Sequence, residues 1–107
     1  MDDLTKNQKY VILQLYKEYL SNYSSGKNQN PNYFPDASYI KHLFSDRFSD
    51  DELDDILLAL LSKDYINGCK DEDSVSEFSV SDKTIIYMEN RFKNGVKDIL
   101  SFLSNFS

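Results

Sequence analysis

The stretch Ser49–Cys69, SDDELDDILLALLSKDYINGC, reads as a capped helix running into a strand, and it carries the densest block of acid in the chain. Ser49 and Glu52 fit the S-x-x-E capping box, in which the hydroxyl accepts the amide hydrogen of residue 52 and the carboxylate accepts that of residue 49. Asp50, Asp51 and Glu52 fall in the first turn, where the positive end of the helix dipole favours them. Leu53, Ile56, Leu57, Leu60 and Leu61 recur at helical spacing and form one apolar face. At roughly 100° per residue, Asp51, Asp54, Asp55, Leu58 and Ser62 point the other way, as an acidic face around a single exposed leucine. Lys63 and Asp64 close the helix, and Tyr65 to Cys69 has strand composition.

Working outward, the excess charge belongs to this region. Residues 50–82 hold eleven acids and two bases, a net of −9, whereas the whole chain of 107 residues carries −6. Residues 1–49 carry +1 and residues 83–107 carry +2. This length gives one domain with a core that needs no staples. The single cysteine, Cys69, excludes an intrachain disulfide and points to a cytoplasmic setting; it is expected half-buried at a strand end. The start, MDDLTK, lacks the apolar core of a secretory signal. The apolar run Ile56–Leu61 is far shorter than the roughly 20 residues of a membrane span, so no membrane partner is expected.

Upstream, residues 4–23 are predicted helical, capped by Thr5, with Val11, Ile12, Leu15, Tyr16, Tyr19 and Tyr23 on one stripe. The plain account of these tyrosines is amphipathic core, the alternative a ligand-stacking ladder. Residues 24–35 read as a loop with almost nothing to bury. A short helix over 36–48, capped by Asp36, turns Ile40, Leu43, Phe44 and Phe48 inward and leaves His42 outside.

Downstream, residues 65–80 read as a hairpin of Tyr65–Cys69 and Val75–Val80, with Phe78 and Val80 inward and Val75 on the opposite face. A helix capped by Ser81 or Asp82 is predicted over 82–105. Asn94-Gly95 interrupts it and is a candidate C-cap and turn, but its seam of Ile85, Met88, Phe92, Val96, Ile99, Leu103 and Phe106 keeps phase across Gly95, which favours one long helix, straight or bent there, over a break. So long a helix overruns a small body and either folds back or meets another chain. Phe92, Val96, Ile99, Leu103 and Phe106 are therefore candidate dimer-seam residues.

The order helix, helix, capped helix, hairpin, helix resembles a winged-helix domain. The likeness is sharpest at Leu60, Asp64, Tyr65 and Ile66, against the pattern L-x-x-x-G-Y-I, and at Ser81, Lys83, Thr84, Tyr87 and Met88, against T-x-K-G-x-x-Y-L. Asp64 and Thr84 stand where those patterns carry glycine. In length and ending the chain is also similar to small winged-helix proteins of Gram-positive bacteria and their phages, such as the YjcQ-like group. The resemblance implies an α+β, mostly helical fold of three helices and a two-stranded wing, followed by the long C-terminal helix. It also implies duplex DNA binding through the third helix and the wing.

The charge argues against that use of the face. Phosphate is neutralised by Lys and Arg, and base edges are read chiefly by Arg, Lys, Asn and Gln. Here the third helix offers Asp51, Asp54, Asp55, Leu58 and Ser62, and the wing tip Asp71, Glu72 and Asp73. The expected role is a non-catalytic interaction module, a homodimer through its last helix, that meets protein through the acidic face. The alternative is a transcription regulator reaching DNA through Lys6, Lys9, Lys17, Lys41, Arg47, Lys83, Arg91, Lys93 and Lys97. No catalytic, metal or cofactor site is expected. The phosphate-loop, dinucleotide, serine-hydrolase and zinc-protease patterns are absent, and Asp71, Asp73 and Glu77 lack the glycine and spacing of a calcium loop.

Overall fold

A computed structural model describes residues 1–26, 30–35, 37–72 and 74–104. The elements, in chain order, are α1 (Lys6–Ser25), β1 (Tyr33–Phe34), α2 (Ala37–Leu43), α3 (Asp50–Ser62), β2 (Ile66–Asp71), β3 (Ser74–Val80), α4 (Asp82–Arg91) and α5 (Val96–Leu103). The class is α+β. The helices enclose a core and one face of an antiparallel sheet, of strand order β1-β3-β2, closes it.

Local chemistry sets the helix starts. Ser49 Oγ accepts the Glu52 amide at 3.2 Å, and the Ser49 amide donates to Glu52 Oε1 at 3.0 Å, completing the box ahead of α3. The same reciprocal pair joins Thr5 and Gln8 at the start of α1. Leu53, Ile56, Leu57 and Leu60 are buried, as the periodicity requires. Around α1, Leu13 is as buried as Val11, Ile12 and Leu15. It lies off the tyrosine stripe, and its burial reflects a helix packed against both α3 and α5.

The corner between α3 and β2 is a Schellman closure: the Asp64 amide donates to Leu61 O at 3.1 Å and the Tyr65 amide to Leu60 O at 2.9 Å. It places Asp64 at φ 65°, and Asp64 is the only non-glycine with positive φ among the described residues. This is the position where the winged-helix pattern carries glycine, and the geometry supplies the reason. A left-handed conformation costs an L-residue roughly 1–2 kcal/mol, against glycine's extra unfolded freedom of roughly 0.5–1. Asp64→Gly is therefore expected to stabilise the chain by about 0.5–1 kcal/mol in urea unfolding. Thr84, at the second glycine position, is fully buried, and its hydroxyl donates to Tyr65 O at 2.9 Å, tying α4 to the same corner. Ser81 caps α4 by accepting the Thr84 amide at 3.3 Å.

The hairpin pairs Ile66 with Val80, Asn67 with Ser79, Gly68 with Phe78, Cys69 with Glu77, Lys70 with Val75 and Asp71 with Ser74. The register skips Ser76, and this bulge reverses the phase of β3. Val75 is buried as a result, on the same side as Phe78 and Val80, contrary to simple alternation. Gly68 is needed where it is: a Cβ there would lie 2.5 Å from Glu77 O and 2.8 Å from Phe78 Cβ.

Three expectations are corrected. The segment over 24–35 is not merely a loop. Helix α1 runs on to Ser25, and Tyr33–Phe34 forms a third strand, pairing Tyr33 with Ser79 and Phe34 with Phe78. Helix 36–48 is shorter, ending at Leu43, although Phe44 and Phe48 are buried as expected; its proposed cap, Asp36, lies outside the described residues. The single helix over 82–105 is two. The chain breaks after Arg91, and Gly95, at φ 65° and ψ −130°, sends α5 back against α1. Only glycine holds that backbone geometry without strain. Asp98 secures the turn, accepting the Asn94 amide at 3.1 Å.

Candidate functional site: the acidic helix and wing

Two elements build the acidic face. On α3, Asp51, Asp55 and Ser62 are exposed and Asp54 is half-buried. Leu58 corrects the expectation of a fully exposed leucine: it is half-buried and packs against the core, so it forms a shallow apolar floor among acids. On the hairpin, Asp71 and Glu72 are exposed at the tip; Asp73 lies outside the described residues. Asp64, between the two elements, is exposed as well. Glu52 is spent on the cap, and its hydrogen bonds from Ser49 hold its carboxyl below the usual range. That leaves the outward carboxylates as a field of negative charge.

A latch fixes this face to the start of the chain. The Tyr65 hydroxyl donates to Asp3 Oδ1 at 2.6 Å, while Lys63 Nζ donates to Asp3 O at 2.6 Å and to Gln8 Oε1 at 3.2 Å. Lys83 Nζ donates to Lys63 O at 2.9 Å and sits 4.6 Å from the centre of the Tyr65 ring. Burial, then the bond to the Asp3 carboxylate, pushes the Tyr65 phenol up to about 12, and the same bond lowers Asp3. The folded chain thus holds the Tyr65 proton more tightly than the unfolded chain does. The stability this gives is complete below pH about 10 and is lost as pH rises toward 12. Asp3 acts with the opposite sign, its share present above its ordinary range and lost as pH falls through its lowered value. Tyr65→Phe is expected to reduce the alkaline loss in thermal melts and to delete a late tyrosinate from an absorbance titration.

The other expected site residues separate clearly. Phe92, Ile99 and Leu103 are buried in the chain's own core, so they are not an open dimer seam; Val96 is exposed and Phe106 lies outside the described residues. The seam spacing survived because two separate helices, α4 and α5, feed one core. Cys69 is exposed rather than half-buried. His42 is exposed, as expected. No group of three or more metal-ligating side chains occurs among the described residues.

Three of the basic residues make contacts within the chain. Lys83 is committed to the latch, and the Arg47 guanidinium lies 4.1 Å from the centre of the Tyr10 ring. Arg91 lies over Phe92 and Phe102 at 5.3 and 5.6 Å, beside an open groove of about 340 Å³ that Asp98 also lines. The latch could not be read from sequence, because Asp3 and Tyr65 are far apart in the chain and neither belongs to a motif. No described helix is long and apolar enough to cross a membrane. Comparison of the chain with protein-family models, with curated proteins and with solved structures gave no match.

Proposed function

We propose that this chain is a non-catalytic interaction module of winged-helix type, which uses the face of α3 and the β2–β3 wing to meet a protein partner. The observation that carries the reading is the exposure of Asp51, Asp55, Asp71 and Glu72, together with Asp64, around the half-buried Leu58. In a winged-helix arrangement these positions would face a nucleic-acid backbone, and contact there would set carboxylate against phosphate without intervening solvent to screen it. A protein surface with a basic rim and an apolar knob is the complementary partner.

Affinity capture from the native cell tests this, with full-length chain, Leu58→Arg, and an Asp51→Lys/Asp55→Lys double variant as baits. The second variant changes only exposed groups and guards against a folding defect in the first. Both variants are expected to weaken the partner's binding tenfold or more, and none of the three is expected to bind duplex DNA at low salt. An unchanged partner set with both variants would remove this face from consideration. Duplex binding that fell steeply with added salt would put the regulator reading in its place.

A further inference from the structure

The outer edge of β2 has no strand beside it among the described residues, and the direction of its backbone groups follows from the sheet. The Val80 amide donates to Asn32 O at 2.9 Å and the Asn32 side-chain amide donates to Val80 O at 3.2 Å, so the polar groups of Val80 face β1. Successive residues of a strand alternate, so those of Ser79 and Glu77 face β2, where they meet Asn67 and Cys69. The Ser81 amide donates to Tyr65 O at 3.1 Å in the same phase. Tyr65, Asn67 and Cys69 therefore turn their N–H and C=O groups toward β3. Gly68 and Lys70 turn theirs the other way, off the sheet. The bulge at Ser76 lies on β3 and leaves the phase of β2 intact.

Strand order puts no neighbour on that side among the described residues, and Gly68 and Lys70 are both exposed. Ile66 shares their phase but is fully buried, so the open ladder begins at Gly68. Exposed edges are ordinarily blunted by short length, proline, charge or a covering segment. The opposite edge follows that rule, since β1 has two residues; β2 has six, with Lys70 its only cation.

We propose that this edge takes an extended, lysine- or arginine-bearing segment of a protein partner as a fourth strand. The inference rests on the acidic-face reading above and names how the partner docks. Main-chain pairing with Gly68 and Lys70 supplies the grip. Charge selects the occupant. Asp64 precedes the strand, and Asp71 and Glu72 end it, all exposed. At roughly 3.3 Å per residue these two acidic ends stand about 20 Å apart, the span of a short strand with a cation at each end. A second copy of the chain fits poorly, because antiparallel pairing of β2 with β2 would set Asp64 of each copy toward Asp71 and Glu72 of the other.

The test uses the full-length chain and a fluorescein-labelled probe of alternating threonine and valine with arginine at both ends. Companion probes carry glutamate at both ends, or keep arginine with every central amide N-methylated. Anisotropy reads binding and amide hydrogen exchange reads its place. In the free chain, Gly68 and Lys70 are expected to exchange faster than Asn67 and Cys69. The arginine probe is expected to slow Gly68 and Lys70 tenfold or more, and N-methylation or the Asp71→Lys/Glu72→Lys variant to weaken binding at least tenfold. Equal binding of the N-methylated probe, with exchange at Gly68 and Lys70 unchanged, overturns strand addition while leaving the acidic-face reading standing. Equal binding of the glutamate probe overturns the choice of a basic occupant, and no binding of any probe overturns the whole inference. The acidic-face reading fails separately, in the capture experiment with Leu58→Arg.

Discussion

Phe34→Ala is expected to destabilise the full-length chain by about 3–5 kcal/mol in urea unfolding, enough to threaten folding in a domain of ordinary stability. Phe34 is 3% exposed, and its ring stacks on that of Phe78 with centroids 5.4 Å apart and planes 27° apart. Its backbone pairs with Phe78, while Asn32 bonds both polar backbone groups of Val80. Truncation at Phe34 would open a cavity between the sheet and the helices, and the surrounding strands have little freedom to collapse into it. Tyr33, on the opposite face of the same strand, is the internal control. It is exposed, and its hydroxyl donates to exposed Glu77 at 2.7 Å. Tyr33→Ala is expected to cost less than about 1 kcal/mol. Equal, small effects at both positions would return this segment to the status of a surface loop.

The contrast between those neighbours shows what sequence can carry. Two residues are too few for a period, and a strand that short is defined by its partner, β3, far along the chain. The polar run before it, SSGKNQNPN, suggests a loop, and the apolar Phe34 at its end gives no sign of which surface it reaches. Helix α3 is the opposite case, because the capping box, dipole acids and apolar face all lie within one local stretch. The wing falls between: its strands were legible, but the skipped Ser76 that buries Val75 depends on pairing across the hairpin. The acidic face was visible as a list of outward positions. The structure adds the half-burial of Leu58 and the latch from Asp3 to Tyr65, both products of tertiary packing. Asp64 shows the reverse, since its departure from the glycine of the winged-helix pattern was visible beforehand and only the backbone at φ 65° explains the pattern.

Ile99→Ala separates the folded-back helix from the seam that its spacing suggested. Ile99 is fully buried on α5, which packs against α1. Deleting its outer carbons is expected to cost about 2–4 kcal/mol, with an unfolding midpoint that does not move with protein concentration. Leu100, one residue on, is 51% exposed, and Leu100→Ala is expected to stay within about 0.5 kcal/mol of the parent. Had the last helix run straight through Gly95, the order would reverse in kind. Ile99 would lie between two copies, its loss would weaken association, and the midpoint would follow concentration. The distinction rests on Gly95, whose φ of 65° and ψ of −130° lie outside the range of helical residues. A repeat of 3 and 4 defines a face only while the helix continues. Once glycine breaks it, the same spacing brings two short apolar faces to one core, and both Phe92 and Ile99 are buried there.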